Sequence, residues 1–299
     1  MSKTNSFIRF IFLGTGTSGG IPIIACDCPT CTSDNPKDNR TRQGAALQWI
    51  DPTGQHRTVL LDTTPDLRLQ AIRHDLQRCD AILFTHHHVD HIFGLDEVRR
   101  FNAAQHSPID IYAEPTTLEH LRRVYKHIFE THANENDSFV ATLIPHQLRV
   151  HASIELFGVR FTPIRLMHGK LPILGFRIEA VDPSLDADFL PLAYCTDTSK
   201  IPTETWQYLE DLSTLVLDGL RLATHPTHFN IDQACDAAHE IDADQTWLVH
   251  LAHEVRHEIV DSQLPPKVNL AYDTLTLGNA DFPNPRAGAP ARRGRFAEG

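Results

Sequence analysis

The chain has 299 residues, with 27 Lys and Arg against 38 Asp and Glu, giving a net charge of −11. Its 41% hydrophobic and 22% charged residues allow a sizeable core, which excludes disorder throughout. The acidic balance speaks against a nucleic-acid binder, which needs a basic footprint. No run of 18 apolar residues occurs, so no membrane span is expected. Arg9 interrupts the apolar stretch near the N-terminus too early for a signal peptide, so a cytoplasmic location is expected.

Residues 7–13 read as a strand that runs into a Gly-rich turn over 14–20. A dinucleotide cradle would need a helix next, and Pro22 with the cysteines behind it denies one. Residues 45–50 and 57–62 alternate as strands about the Asp51-Pro52-Thr53-Gly54 turn. Helices are predicted over 65–74, 95–104 and 118–131, and strands over 81–85 and 109–113. Farther on, 153–165, 174–179 and 191–195 read as strands, 203–212 as a helix, 214–217 as a strand and 231–241 as a helix. Strands over 246–251 and 268–271 close the pattern. Helices interleaved with strands in both halves predict a layered α/β domain, and no short repeat is present. Beyond 277 the composition turns to Pro, Gly, Ala and Arg, predicting one domain over 1–278 and a disordered tail over 279–299.

The strongest chemical signal is His86-His87-His88-Val89-Asp90-His91, directly after the strand over 81–85. Read as H-x-H-x-D-H, it offers three imidazoles and a carboxylate from one turn. Residues two apart at a strand end point the same way, so His86 and His88 can share one ion while Asp90 and His91 face a second. Imidazole with carboxylate is the donor set of Zn²⁺, Mn²⁺ or Fe. His168, Asp197 and His250 each end or follow a predicted strand. They complete two sets: His86, His88, His168 and Asp197, and Asp90, His91, His250 and Asp197. Asp197 would bridge, and each ion would keep a position open for water.

This loop, followed by isolated His, Asp and His, resembles the metallo-β-lactamase superfamily over residues 7–277. The resemblance implies a single-domain αββα sandwich with a dinuclear site at one edge of two sheets, and metal-assisted hydrolysis of an unspecified substrate. It also implies that Asp62, at a strand end, orients a histidine of the metal loop; a plain turn residue is the alternative. Cys26-Asp27-Cys28-Pro29-Thr30-Cys31 brings three thiolates from one loop. A tetrahedral zinc needs a fourth ligand, which His253 in His250-Leu251-Ala252-His253 can supply. Three buried or reactive thiols are the alternative reading.

The pairing of that loop with the second His of an H-x-x-H resembles the phosphoribosyl 1,2-cyclic phosphate phosphodiesterase (PhnP-like) family, where it holds a structural zinc. The resemblance implies manganese at the dinuclear site, although the donors also suit zinc or iron. Residues 218–229 resemble the segment that carries this family's active-site histidine over the metals. His228 stands 22 residues before His250, placed to bind phosphate or protonate the leaving oxygen; His225 is the competing candidate. Cys79, Cys195 and Cys235 read as small core residues, His87 as pointing away, and His257 as structural or solvated. Residues 182–188 look like an inserted hairpin tip, and 105–151 carry no motif of their own.

Together these readings predict a phosphodiesterase with two divalent metals, Mn or Zn, in the active site and one structural Zn, acting on a small cyclic phosphate. His228 and Asp197 are its expected catalytic residues. A small phosphorylated substrate is its expected partner, with no membrane, no nucleic acid, and a homodimer expected only from the family. The alternatives are a thioesterase, lactonase or RNA 3′-end nuclease on the same fold, or a metal-stabilised binding protein without catalysis.

Overall fold

The computed structural model describes residues 7–135, 139–279 and 282. Apart from Asn279 and Phe282, the tail expected over 279–299 lies outside the described residues. In chain order the strands are β1 (Ile8–Gly14), β2 (Gly44–Ile50), β3 (His56–Leu61), β4 (Ala81–Leu83), β5 (Ile109–Ala113), β6 (Leu143–Gln147) and β7 (Ile154–Leu156). They continue as β8 (Val159–His168), β9 (Leu171–Ala180), β10 (Leu192–Cys195), β11 (Thr214–Asp218), β12 (Gln245–Val249), β13 (Val268–Leu270) and β14 (Thr276–Gly278). The helices are α1 (Leu67–Arg73), α2 (Val89–Ile92), α3 (Arg99–Gln105), α4 (Pro115–Val124), α5 (Lys126–Phe129), α6 (Ile231–Ile241) and α7 (His257–Asp261).

Two seven-stranded sheets form, in the orders β14-β1-β2-β3-β4-β5-β6 and β13-β12-β11-β10-β9-β8-β7. Each is antiparallel at one side and parallel at the other: β3 to β6 run parallel in the first, β10 to β13 in the second. Phe10, Phe12, Trp49, Phe161, Phe176 and Tyr194 pack between the sheets. The opposite faces are covered too. Ile11, Leu60 and Ile82 lie beneath Leu67, Phe101 and Leu118 of the first half's helices, and Ala193, Leu215 and Leu248 lie beneath Ile231, Ala234 and Val260. Strands covered on both faces lose their polar alternation, which is why β11 is buried at every position. The layering is the αββα sandwich that the resemblance implied, and the layered α/β arrangement that the element pattern predicted.

Local differences have local causes. The strand expected over 153–165 is a hairpin, β7 and β8, because Phe157 and Gly158 take positive φ of 51° and 90°, the pair of left-handed residues that a tight hairpin needs. The helix expected over 118–131 starts earlier, with Pro115 at its first position. It breaks at Tyr125, whose hydroxyl donates to the Ile92 carbonyl at 2.9 Å. Residues 203–212 form only a 3-10 turn, Thr203–Tyr208. Strands β6 and β14 were not anticipated; both are short and sit at sheet edges. The connection over 182–188 does join antiparallel β9 and β10, but Leu185 and Ala187 in it are core residues. Among the described residues, no helix is long and apolar enough to cross a membrane.

The turn after β3 and the loop after β4 are bonded directly: Thr63 donates to the His91 carbonyl at 2.8 Å, and Gly94 to Thr63 at 2.9 Å. A Cβ on Gly94 would overlap the Thr64 carbonyl oxygen. Gly94→Ala is therefore expected to destabilise the protein by about 1–3 kcal/mol. A fall of several degrees in Tm would register it, and an unchanged Tm would contradict this packing.

Candidate metal centres

Parallel strands bring their C-terminal ends, and the loops after them, to one edge. Here two parallel groups share that edge. β4 leads through Phe84 and Thr85 to His86 and His88, with Asp90 and His91 on α2. From the second sheet come His168 at the end of β8, Asp197 after β10, Asp218 at the end of β11 and His250 after β12. Asp62, Asp197 and His250 have positive φ of 64°, 56° and 59°. Each turns the chain sharply within two residues of a strand end, at a backbone cost of about 1–3 kcal/mol.

Donor atoms of His86, His88 and His168 lie within 4.8 Å of one another, as do those of Asp90, His91, Asp197 and His250. Asp197 also groups with His168 and His228, so it links the two sets. Its Oδ2 is 3.3 Å from His91 Nε2 and 3.2 Å from His250 Nε2. Asp90 Oδ2 is 3.5 and 3.6 Å from the same two nitrogens. All seven residues that the sequence singled out for the dinuclear site are thus brought together. His87 is not among them and stacks instead on His120 of α4, with ring centres 3.9 Å apart.

The cluster fits divalent cations on two observations. First, Nε2 of His86, His91 and His250 is buried without a hydrogen-bond partner among the described residues, which is costly for a polar atom unless something binds it. Second, the carboxylates call for positive charge. Burial alone would lower the pKa of His91, yet Asp197, Asp90 and Asp62 outweigh it and hold the group well above its usual range. His250 behaves alike: burial opposes, but Asp197 and Asp90 push it up to about 9. His86, with burial dominant, is held well below its usual range, as the neutral imidazole that ligation requires.

Tautomers are set from behind. Asp62 Oδ2 lies 2.7 Å from His91 Nδ1, so His91 presents Nε2. The Thr85 hydroxyl donates to Asp62 at 2.9 Å and therefore accepts from His86 Nδ1, also at 2.9 Å. One buried carboxylate thus orients two histidines, an arrangement that strengthens metal ligands; of the two sequence readings of Asp62, the structure has the orienting one. His168 Nδ1 donates to the Thr227 carbonyl at 2.8 Å. His228 shares a 2.7 Å hydrogen bond with Asp218 and stacks at 4.7 Å against His250. Burial raises the Asp218 carboxyl well above its usual pKa and, with His250, pushes His228 down to about 4. Asp218 was not singled out by the sequence; its position directly before Gly219 at a strand end was the available signal. His225 lies to the side, its Nδ1 3.1 Å from the Thr227 hydroxyl.

A second centre lies beside the first. Cys26, Cys28 and Cys31 place Sγ at 3.3, 3.5 and 3.9 Å from His253 Nδ1. Bonds of about 2.3 Å to sulfur and 2.0–2.1 Å to nitrogen set a tetrahedral S···N edge of roughly 3.6 Å, which these separations straddle. The Cys31 N–H donates to Cys28 Sγ at 3.4 Å and holds that thiol down to about 6, towards the thiolate a metal needs. Arg40 secures the turn that carries His253, donating to the carbonyls of Ala252 and Val255. His257 is not part of the centre; it is buried at the start of α7. Cys79 and Cys195 are buried in the core and Cys235 is half-buried.

Residues 57–251 match the β-lactamase superfamily domain. A diphosphatase from the PhnP family is 36% identical, with a TM-score of 0.79 over 91% of this chain and 98% of its own. An octanoyltransferase of Porphyromonas gingivalis is 32% identical over 270 residues; the match takes in 90% of this chain but 51% of that protein, so the chain spans about half its length. Zn²⁺-bound PqqB from Methylobacterium extorquens, 20% identical with a TM-score of 0.70 over 91% of this chain and 100% of its own, shares the fold.

Asp62→Ala removes the common support of His86 and His91. It is expected to weaken metal binding at the His/Asp cluster about ten- to a hundredfold, measured by metal titration of chelator-stripped protein; wild-type affinity would contradict the support role. Cys28→Ser should cost about one metal ion per chain and lower Tm, with the His/Asp cluster still loaded. Elemental analysis checks this, and an unchanged metal count would refute it.

Proposed function

The chain belongs to the metallo-β-lactamase superfamily as a PhnP-like metal-dependent hydrolase, and we propose that it is a phosphodiesterase that opens a small cyclic phosphate such as 5-phosphoribosyl 1,2-cyclic phosphate. The observation that carries this reading is the His228–Asp218 pair set against the metal cluster, with His228 grouped with Asp197 and His168 within 4.8 Å. Phosphoester cleavage needs charge stabilisation at phosphorus and a proton for the departing oxygen, and these residues serve those two needs.

Divalent ions held by His86, His88, His168, Asp90, His91, His250 and Asp197 would lower the pKa of a water and offset charge on the phosphoryl oxygens. The remaining steps fall to side chains. The His228–Asp218 pair, holding two protons, delivers one from His228 Nε2 to the leaving ribose oxygen. It is left as an Asp218 carboxylate with the other proton on His228 Nδ1. Burial of both groups keeps water from short-circuiting that transfer. Asp62 and Thr85 keep His91 and His86 in place throughout. The Cys26, Cys28, Cys31 and His253 centre, read as a structural zinc, braces the turn three residues beyond His250.

A remote phosphate on the substrate also finds partners. His87 stacks on His120, and Arg123 Nη2 lies 3.4 Å from His120 Nδ1. His87 belongs to the metal loop itself, so a remote phosphate would meet these donor and cationic groups beside that loop.

The test is ³¹P NMR of metal-loaded protein with 5-phosphoribosyl 1,2-cyclic phosphate. Conversion to a ribose bisphosphate that chelator abolishes is expected; no conversion with metals confirmed bound would overturn the substrate assignment. An octanoyl thioester, tested because the Porphyromonas gingivalis relative is an octanoyltransferase, is expected to stay intact. His228→Ala should lower kcat by about 10²–10⁴-fold with metal content kept. Arg123→Ala should raise KM several-fold for the phosphorylated substrate with kcat little changed; an equal fall in kcat would contradict an anchoring role.

A further inference from the structure

A second cluster of cationic side chains stands away from the metals. Arg9, Gln48 and Thr58 lie on the helix-covered face of the first sheet, towards the strand ends remote from Asp62. There a cavity of about 220 Å³ is lined by Arg9, His56, His74, Arg78, Gln77 and Phe282, among others. The lining comes from the start of β1, the start of β3, the segment after α1 and the last described residue.

The polar groups in it are poorly matched from within. Arg57, also in the lining, is paired with Asp51 at 2.7 Å and Asp80 at 3.1 Å, and Arg78 bonds the same Asp80. Arg9 forms no ion pair among the described residues. Its Nε and Nη2 donate to the neutral Gln48 Oε1 at 3.1 and 2.7 Å, and its guanidinium carbon lies 4.5 Å from the Phe282 ring centre. His56 Nδ1 and His74 Nε2 are buried without a hydrogen-bond partner among the described residues. The carboxylate of Asp75 lines the cavity, but that residue is exposed at the rim and takes a bond from the Gln77 side chain.

We propose that this cavity is a binding site for a small phosphate-bearing anion, gripped by Arg9 and Arg78 and completed by His56 and His74. Guanidinium groups match phosphate oxygens in geometry as well as charge, and an anion would supply the counter-charge that the neutral Gln48 does not give a half-buried Arg9. The volume has room for a phosphate and a few further heavy atoms. Burial, then Arg73 and Arg9, pushes the His74 pKa down to about 4, and burial, then Arg78, lowers that of His56; an anion among them would reverse both trends. The site stands apart from the metal cluster and does not depend on the activity proposed above.

The test is equilibrium dialysis of the full-length, metal-loaded protein against labelled inorganic phosphate, with glycerol 3-phosphate as competitor. Wild type should hold a phosphate that Asp197→Ala, which disturbs the metal cluster, still binds. Arg9→Gln and His74→Gln should each weaken that phosphate about tenfold or more while the metal content of the His/Asp cluster is unchanged. The two variants guard against a folding defect in either one. Tighter binding of glycerol 3-phosphate than of phosphate would assign the site to phosphate esters, and the reverse to the free ion; both support it. Two well-folded variants that bind phosphate like wild type, or a well-folded Asp197→Ala protein that holds no phosphate, would overturn it.

Discussion

Imidazole nitrogens sealed from water, crowded against buried carboxylates that draw positive charge into the cluster, are the constraint on which this fold turns. Nε2 of His86, His91 and His250 has no hydrogen-bond partner among the described residues, and Asp90 and Asp197 crowd against two of those nitrogens. In an interior of low dielectric such a group is strongly unfavourable unless a cation binds it. The sandwich keeps the donors there because two parallel strand groups end at the same edge. Left-handed turns at Asp62, Asp197 and His250 aim their side chains across it. Strain and desolvation are concentrated at one place, and the two well-packed sheets beneath hold it there.

The supports form two tiers. Asp62 reaches His91 directly and His86 through Thr85, so one carboxylate orients ligands of both sets. The cysteine centre joins the loop after β1 to the turn after β12, three residues beyond His250, and Arg40 ties that turn again through two carbonyls. The cysteine centre and His250 are therefore linked through the turn after β12. Disturbing the thiolates should be felt at His250 through the backbone between them rather than through any shared ligand.

Much of this was legible in the sequence because it is local. The H-x-H-x-D-H loop, the C-x-C-x-x-C loop and the H-x-x-H pair each carry their chemistry within a few residues. His168 and Asp197 were visible as lone polar residues at strand ends. Asp218 was not, because its place in the site exists only through its bond to His228, ten residues away, which stacks on His250. The hairpin at Phe157 and Gly158 was read as one strand because apolar residues run through a turn whose signal is backbone conformation. The edge strands β6 and β14 are too short for periodicity to register. The distal arginine and histidine cavity is drawn from segments across the first half and the last described residue, and no linear pattern announces it. That cavity stands out because an acidic chain has gathered its positive groups at a point where no substrate chemistry is read.

The most direct measurement of the central claim is anomalous diffraction from crystals of the metal-loaded protein, collected at the zinc and manganese edges. The expected result is two ions in the His/Asp cluster with Asp197 between them, and a zinc among Cys26, Cys28, Cys31 and His253. A single ion at the cluster, or two ions with Asp197 bound to neither, would contradict the bridged site on which the proposed chemistry rests.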